Sequence, residues 1–287
     1  MTAFNARYRQ GRITATGSLV YTNVTEHVKI GDAPADFQRL APSFTVSLQP
    51  WQEQLLFLRL MYKSTFRMPT FNDLYYYRLG NRSLRPEKAN EYNMGITWSR
   101  SFSSFLNYLS VTVDGYYNDV TDKIVAFPTT YAWKMANYGK VHVTGMDATL
   151  AAAASLGKNM VLVVSGGYTW QKAIDLTDAT SKSYKDQLPY TPKHSGNVSA
   201  VLEMPWVNVG YSIVGVSERY SMSQNIPENR IDGYMEHTAS LSRNFSFRHC
   251  KLRLQAEIIN MTDTQYDVIK YYPMPGRSWR LTGTIEF

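Results

Sequence analysis

The final ten residues, Ser278-Trp279-Arg280-Leu281-Thr282-Gly283-Thr284-Ile285-Glu286-Phe287, alternate without a miss. Trp279, Leu281, Gly283, Ile285 and Phe287 fall on one side, and Ser278, Arg280, Thr282, Thr284 and Glu286 on the other. Successive strand side chains point to opposite faces of a sheet, so this segment is a strand with one apolar and one polar face. Whether the apolar face meets a protein core or lipid is the question that decides the fold.

Composition narrows the answer. The 287 residues include 21 Tyr and 6 Trp, only 18% are charged, and the mean hydropathy is −0.32. The most apolar stretch, Ala148 to Leu156, is too short and too rich in alanine to span a bilayer, which takes a helix of about 20 residues. A helical membrane protein is therefore excluded. A transmembrane β-barrel is not, because strands that alternate apolar-out and polar-in are hydrophilic on average. Cys250 is the only cysteine, which excludes an internal disulfide and any zinc site built on several cysteines. The net charge of +7 is scattered along the chain rather than clustered. Phosphate backbones are bound by clustered cations, so nucleic acid is not an expected partner. The segment Met1 to Arg9 has neither the basic nor the apolar region of a secretory signal. Either the protein is cytoplasmic or its true N-terminus lies upstream.

Reading for period two along the rest of the chain predicts 13 strands, near 2–9, 12–28, 39–49, 54–68, 90–100, 108–126, 140–154, 159–172, 194–204, 207–221, 234–245, 251–261 and 277–287. Tyr92, Met94, Ile96 and Trp98 alternate with Asn93 and Thr97. Val198, Ala200, Leu202 and Met204 do so with Asn197, Ser199 and Glu203, and Leu252, Leu254, Ala256 and Ile258 with Arg253, Gln255 and Glu257. No helical stripe is evident. Short connections such as Gln10-Gly11, Leu156-Gly157-Lys158 and Pro205-Trp206 alternate with long ones near 29–37, 69–89, 127–139, 173–193, 222–233 and 262–276. Tight turns at one end and long loops at the other describe an antiparallel meander of the outer-membrane kind. Trp51, Trp98, Tyr108, Trp206, Phe245 and Phe287 gather at the short-turn end, where an interfacial aromatic girdle is expected.

Catalytic signatures are missing: there is no phosphate-binding glycine loop, no nucleophile elbow and no His-Glu-x-x-His. The five histidines lie on different hairpins without ligand spacing and are expected in the lumen or loops. No enzyme activity, metal site or cofactor is expected.

Ser64-Thr-Phe66-Arg67-Met-Pro69-Thr-Phe-Asn-Asp-Leu-Tyr75 is followed by Gly80-Asn81-Arg-Ser-Leu84-Arg-Pro86-Glu87 and a strand running from Tyr92 to Gly95. Farther on come Tyr117-Asn-Asp-Val-Thr-Asp-Lys-Ile124, Asn137 through Gly145-Met-Asp147, and Leu188-Pro-Tyr-Thr-Pro-Lys-His194. Asn260-Met-Thr-Asp-Thr-Gln-Tyr266 and Pro275-Gly276-Arg277 complete the series before the terminal Phe287. In this order they resemble the barrel of TonB-dependent outer-membrane receptors. Met68, Arg82 and Asp147 depart from the usual Ala, Pro and Glu of those receptors. The resemblance implies a 22-stranded barrel with an N-terminal plug, importing a scarce ligand with energy delivered by TonB. It makes the whole of residues 1–287 the C-terminal part of one barrel domain, all-β, with outer-membrane lipid around it. The plug, the TonB complex that acts through it, and the first strands are then the partners expected outside this chain.

The ligand is expected to be a small molecule such as an iron-siderophore, captured by aromatic and cationic residues on the long loops. The candidates are Tyr75, Tyr76, Tyr77, Arg78, Tyr131, Trp133, Tyr138, Tyr271 and Tyr272. Haem receptors of this type carry a His between the two boxes, and Thr70 to Leu79 holds none; a corrinoid stays open. Two rivals are a porin-like barrel, disfavoured by an odd strand count, and a soluble β-rich carbohydrate-binding module, disfavoured by one-sided alternation. Because the last strand has no first strand to close on, residues 1–287 expressed alone are expected to aggregate or fail to insert. A monodisperse product that floats with liposomes would overturn that expectation.

Overall fold

The computed structural model describes every residue except 26, 28, 30–35, 129–131, 158 and 287. Among the described residues, thirteen strands form one antiparallel sheet. It begins with β1 (Thr2–Gln10), β2 (Ile13–Val24), β3 (Phe37–Leu48), β4 (Leu55–Arg67), β5 (Glu87–Ser101) and β6 (Leu106–Pro128). It continues through β7 (Trp133–Gly157), β8 (Met160–Asp175), β9 (His194–Glu203), β10 (Asn208–Val216), β13 (Tyr234–Ser246), β14 (Lys251–Ile259) and β17 (Ser278–Glu286). Two small ribbons in the long connections complete the numbering: β11 (Arg219–Tyr220) with β12 (Arg230–Ile231), and β15 (Asp267–Ile269) with β16 (Tyr272–Pro273). No described helix is long and apolar enough to cross a membrane, which says nothing against crossing by strands.

The expected count of 13 strands stands, and the strand positions agree to within a few residues for most. The connections hold two features that the sequence does not predict. The segment 127–139 is not a long loop: β6 and β7 stay paired out to Pro128 and Trp133. Ladder bonds continue there because Ile124 and Met135 gain a partner surface in Leu74 and Leu84, all four being buried. The connection after β4 also holds a one-turn helix, α1 (Phe71–Tyr75). The Thr70 hydroxyl accepts from the Asp73 amide while the Asp73 carboxylate accepts from the Thr70 amide. Such a capping box supports a turn too short to leave a periodic stripe in sequence.

The two faces separate along unbroken cross-strand rows. On one face Tyr62, Tyr92 and Tyr117 are opposed in turn, and Ile96 continues to Val113, Ala148 and Tyr168. On the other, Arg59, Gly95, Asp114, Asp147 and Thr169 form one row. Gly95 is what lets that polar row connect. Arg59 Nη2 reaches across it to Asp114 Oδ1 at 2.8 Å, and a Cβ at Gly95 would land on the carboxylate. Gly145 acts likewise: the Tyr116 ring lies over it and its hydroxyl donates to Gln171 Oε1 at 3.2 Å.

Tyr108, expected in the girdle, lies on the polar face opposite Ser101 and Ala153 and bonds to Ser99 and Ser110. Its hydroxyl finds serines there, which the apolar face does not offer. Trp98 and Phe245 hold apolar-face positions, Trp51 and Trp206 are exposed at turns, and Phe287 lies outside the described residues. His142, His194 and His237 likewise sit on the apolar face, opposite Asp119, Trp170 and Ile213, rather than on the polar face or in loops.

Gly145→Val forces the Tyr116 ring out of its seat. Overpacking of this kind costs about 1–3 kcal/mol. The expected result is a lower unfolding midpoint for the heat-shifted band on unboiled gels, with Gly17→Val, whose Cβ meets open space, unchanged.

Candidate functional site

The long connections converge over the polar face at the end of the sheet away from the tight turns. Leu188 anchors the connection after β8, packing on Ala89, Val120, Val141 and Ala173 from four strands. Gln187 fastens it further, accepting from the Ala173 amide at 3.1 Å and donating to the Gln171 and Thr191 carbonyls. The connection after β4 docks on the β6–β7 tip through the second apolar cluster and through Asn81, whose side-chain amide donates to the Met135 carbonyl at 3.1 Å. Gly80 makes this possible, since a Cβ there would come within 2.7 Å of the Tyr76 amide nitrogen.

Arg67 ties the base of this assembly, approaching Asp73 at 3.3 Å and Glu87 at 3.5 Å and donating to the Ile124 carbonyl. Glu87 in turn faces Lys123 at 3.7 Å. Phe66 packs its ring on Phe37, and Pro69 precedes the Thr70 cap. Pro86 leads directly into β5. Near the C-terminus Asn260, 1% exposed, holds its connection through Thr264 and Pro275. Asp263 accepts from the Arg277 amide in the space left by Gly276. The motif residues are thus clamps that fix long loops on strand ends.

Between the clamped loops lies a cavity of about 440 Å³. Lys123 and Trp133 come from the β6–β7 hairpin, Leu188 and Tyr190 from the connection after β8, Arg219 from β11, and Val268 and Ile269 from β15. Trp133 and Tyr190 stand ring to ring, 5.9 Å between centroids. Arg219 is only 5% exposed. Its Nη2 donates to the Asp267 and Val268 carbonyls at 2.6 and 3.1 Å, while Nη1 has no hydrogen-bond partner among the described residues. Burying a guanidinium nitrogen unpaired is costly, so this edge of Arg219 is suited to receive an anionic or carbonyl oxygen.

The guanidinium also lies over the Tyr234 ring at 5.8 Å, which stacks on Tyr266 at 3.9 Å, whose hydroxyl donates to Glu236 Oε2 at 2.5 Å. Burial, reinforced by Glu236, holds the Tyr266 phenol well above the ordinary tyrosine range. Burial also raises Tyr190, with the Arg219 charge among the opposing effects. Both therefore remain neutral hydrogen-bond donors at neutral pH. A second cavity of about 330 Å³ adjoins the first through Lys123, Leu188 and Thr191 and is walled farther along by Glu87, Glu91, Asn118 and Gln171. The space thus continues from the loops toward the polar face of the sheet.

Of the sequence candidates among the described residues, only Trp133 lines the 440 Å³ cavity. Tyr138 is half-buried against the Leu188 cluster, bonded to Ser223 at 2.5 Å. Tyr75 packs on the Leu74 cluster with Arg82 over its ring. Tyr76, Tyr77, Tyr271 and Tyr272 point into solvent, with Arg78 against Tyr77. Tyr131 lies outside the described residues. Sequence reasoning missed Arg219, Lys123 and Tyr190. Tyr190 stood inside a quoted motif, whereas nothing local marks Arg219.

A family model described as the TonB dependent receptor-like β-barrel matches residues 4–261. The chain belongs to that family. Its curated relatives include the vitamin B12 transporter BtuB of Photobacterium profundum, 25% identical over 230 residues, covering 77% of this chain and 34% of that protein. The BtuB of Vibrio vulnificus is 26% identical over 231 residues, covering 77% of this chain and 33% of its own length. The chain therefore spans about a third of these relatives. Among solved structures, the unliganded ferric citrate transporter FecA superposes with a TM-score of 0.76 at 15% identity, covering 98% of this chain and 44% of FecA. The ferric-catecholate import receptor Fiu from K12 E. coli gives 0.69 at 18%, again covering 98% of this chain and 44% of its own. Family barrels are outer-membrane proteins, and family members are receptors and transporters. In such a barrel the polar face lines the lumen and the apolar face meets lipid.

Tyr266→Phe removes the hydroxyl that Glu236 accepts. A hydrogen bond to a charged group contributes about 1.5–3 kcal/mol, so the 262–277 connection is expected to exchange amide hydrogens and to be nicked by protease faster, while the sheet is unchanged.

Proposed function

We propose that this chain is the C-terminal part of an outer-membrane receptor barrel that captures a small anionic ligand at its outer mouth for TonB-driven import. In this reading residues 1–287 form one barrel domain, completed by further strands and a plug contributed by the rest of the receptor. The chain performs no chemical step. Its work is capture, by electrostatics and stacking, and passage along a polar wall.

The observation that carries the reading is the buried Arg219, with Nη1 unpaired among the described residues in a cavity that also offers Lys123 and the stacked Trp133 and Tyr190. Two cations suit anionic oxygens, and two ring faces suit a flat organic body. A ferric siderophore with carboxylate or catecholate oxygens has that chemistry. Fiu and FecA, two solved receptors with this fold, are named for ferric-catecholate and ferric citrate. A corrinoid is the second reading, favoured by the sequence similarity to vitamin B12 transporters.

Growth rescue by the complete receptor on ferric catecholates, ferric citrate and cyanocobalamin, supplied singly, distinguishes the two. Charge-assisted bonds contribute about 1.5–3 kcal/mol, or roughly 10- to 100-fold in affinity. Arg219→Gln is expected to weaken ligand binding by that factor, and Arg248→Gln at the opposite end of the sheet to leave it unchanged. Equal affinity in both variants would remove Arg219 from the site.

A further inference from the structure

We infer that the Arg219 cavity and the smaller cavity beside it form one site for a zwitterionic ligand, with anionic oxygens at Arg219 and a protonated amine at Glu91 and Asn118. The inference rests on the capture reading above and narrows its substrate class. Both cavities are lined by Lys123, Leu188 and Thr191, so a ligand held in the first can extend an arm into the second. Their chemistry is opposite. The first presents the unpaired Nη1 of a guanidinium that is only 5% exposed. The second, of about 330 Å³, is walled by Glu87, Glu91, Asn118 and Gln171, which gather carboxylate and amide oxygens.

Two of those four side chains are already engaged. Glu87 accepts from the Ile124 amide at 3.0 Å and faces Arg67 at 3.5 Å and Lys123 at 3.7 Å. Gln171 Oε1 accepts from the Tyr116 hydroxyl at 3.2 Å. Glu91 and Asn118 are left, and they are direct cross-strand neighbours on β5 and β6. Asn118 Oδ1 is shielded from solvent and has no hydrogen-bond partner among the described residues. Glu91 has no cation within ion-pair distance among the described residues: Lys123 turns to Glu87, and Lys63, opposite Glu91 on β4, stays exposed without pairing. A shielded acceptor left unpaired is costly, so the two groups are suited to receive a donor. An ammonium brings several N–H donors and the positive charge that Glu91 lacks. A bare divalent cation fits less well, since calcium takes about six to eight oxygen ligands.

Two matched chelates test this on the complete receptor, with binding read from quenching of tryptophan fluorescence. One is the ferric complex of dihydroxybenzoyl-lysine acylated at its α-amine, which carries a carboxylate and a free ammonium on each arm. The other is the same complex acetylated at the side-chain amine, which keeps the carboxylate and loses the positive charge. The wild type is expected to bind the free-amine chelate tighter by roughly ten-fold or more, the contribution of a charge-assisted bond. Glu91→Gln, which adds no bulk, should remove most of that preference, and Glu91→Gln with Asn118→Leu should bring the two affinities together. Glu53→Gln, in the tight turn between β3 and β4, should keep the preference. Arg219→Gln should weaken both chelates by the same factor. Equal wild-type affinity for the two chelates, with Arg219→Gln still weakening both, overturns the zwitterion inference and leaves the capture reading standing. A full preference surviving in Glu91→Gln, or no binding of either chelate, also overturns the inference. If Arg219→Gln changes neither affinity, the capture reading fails and takes the inference with it.

Discussion

In hydrocarbon a peptide group that lacks a hydrogen-bond partner costs several kcal/mol, and every other feature of this chain depends on how that constraint is met. The answer is a ladder in which each strand between the two edge strands, β1 and β17, bonds both neighbours and the register from β5 through β9 holds along the central rows. Because side chains alternate strictly with the ladder, holding register also holds chemistry to its face. A slip of one residue would turn Asp114 and Asp147 onto the apolar face and Met94 and Ile96 onto the polar one. The glycines of the lumenal rows reinforce register by a second route. The Arg59–Asp114 contact and the Tyr116 seat exist only where a partner strand presents no Cβ.

The ladder also dictates where function can reside. In barrels of this family the two faces are committed to lipid and lumen, which leaves the connections free for other work once they are held still by other means. Here they are held by clamps at strand ends: the Arg67–Glu87–Lys123 charges, the Asn81 and Asn260 side-chain bonds, and Leu188 plugged between four strands. These fix loops over the polar face closely enough to leave a buried guanidinium edge open. Ion pairs among half-exposed groups contribute little individually; their value here is in geometry, since each joins segments distant in sequence.

Much of this was legible in the residues. Period-two alternation located the thirteen strands, and the alternation of short and long connections located the two ends. The order of the Phe66–Arg67 and Gly80–Glu87 boxes pointed to the family. The misses have physical reasons. Tyr108 reads as an aromatic at a strand end, and only its cross-strand serines place it on the lumenal wall. The β6–β7 tip looks like a loop because its apolar residues, Ile124 and Met135, are buried by a distant segment, Leu74 to Leu84, rather than by lipid. His142, His194 and His237 appear scattered until pairing sets each beside a tyrosine.

The candidate site was the least legible part. Aromatic residues on long loops are conspicuous in sequence, yet Tyr76, Tyr77, Tyr271 and Tyr272 face solvent, and of that set Trp133 alone lines the cavity. Sequence by itself determined the fold class, the approximate strand positions and the apolar stripe of several strands, because those follow from local alternation imposed by the pleat. Tertiary structure decided which loop residues meet. Arg219 and Tyr190 belong to two different connections and Lys123 to strand β6, and their approach depends on loops docking over strands, a contact with no local period to betray it.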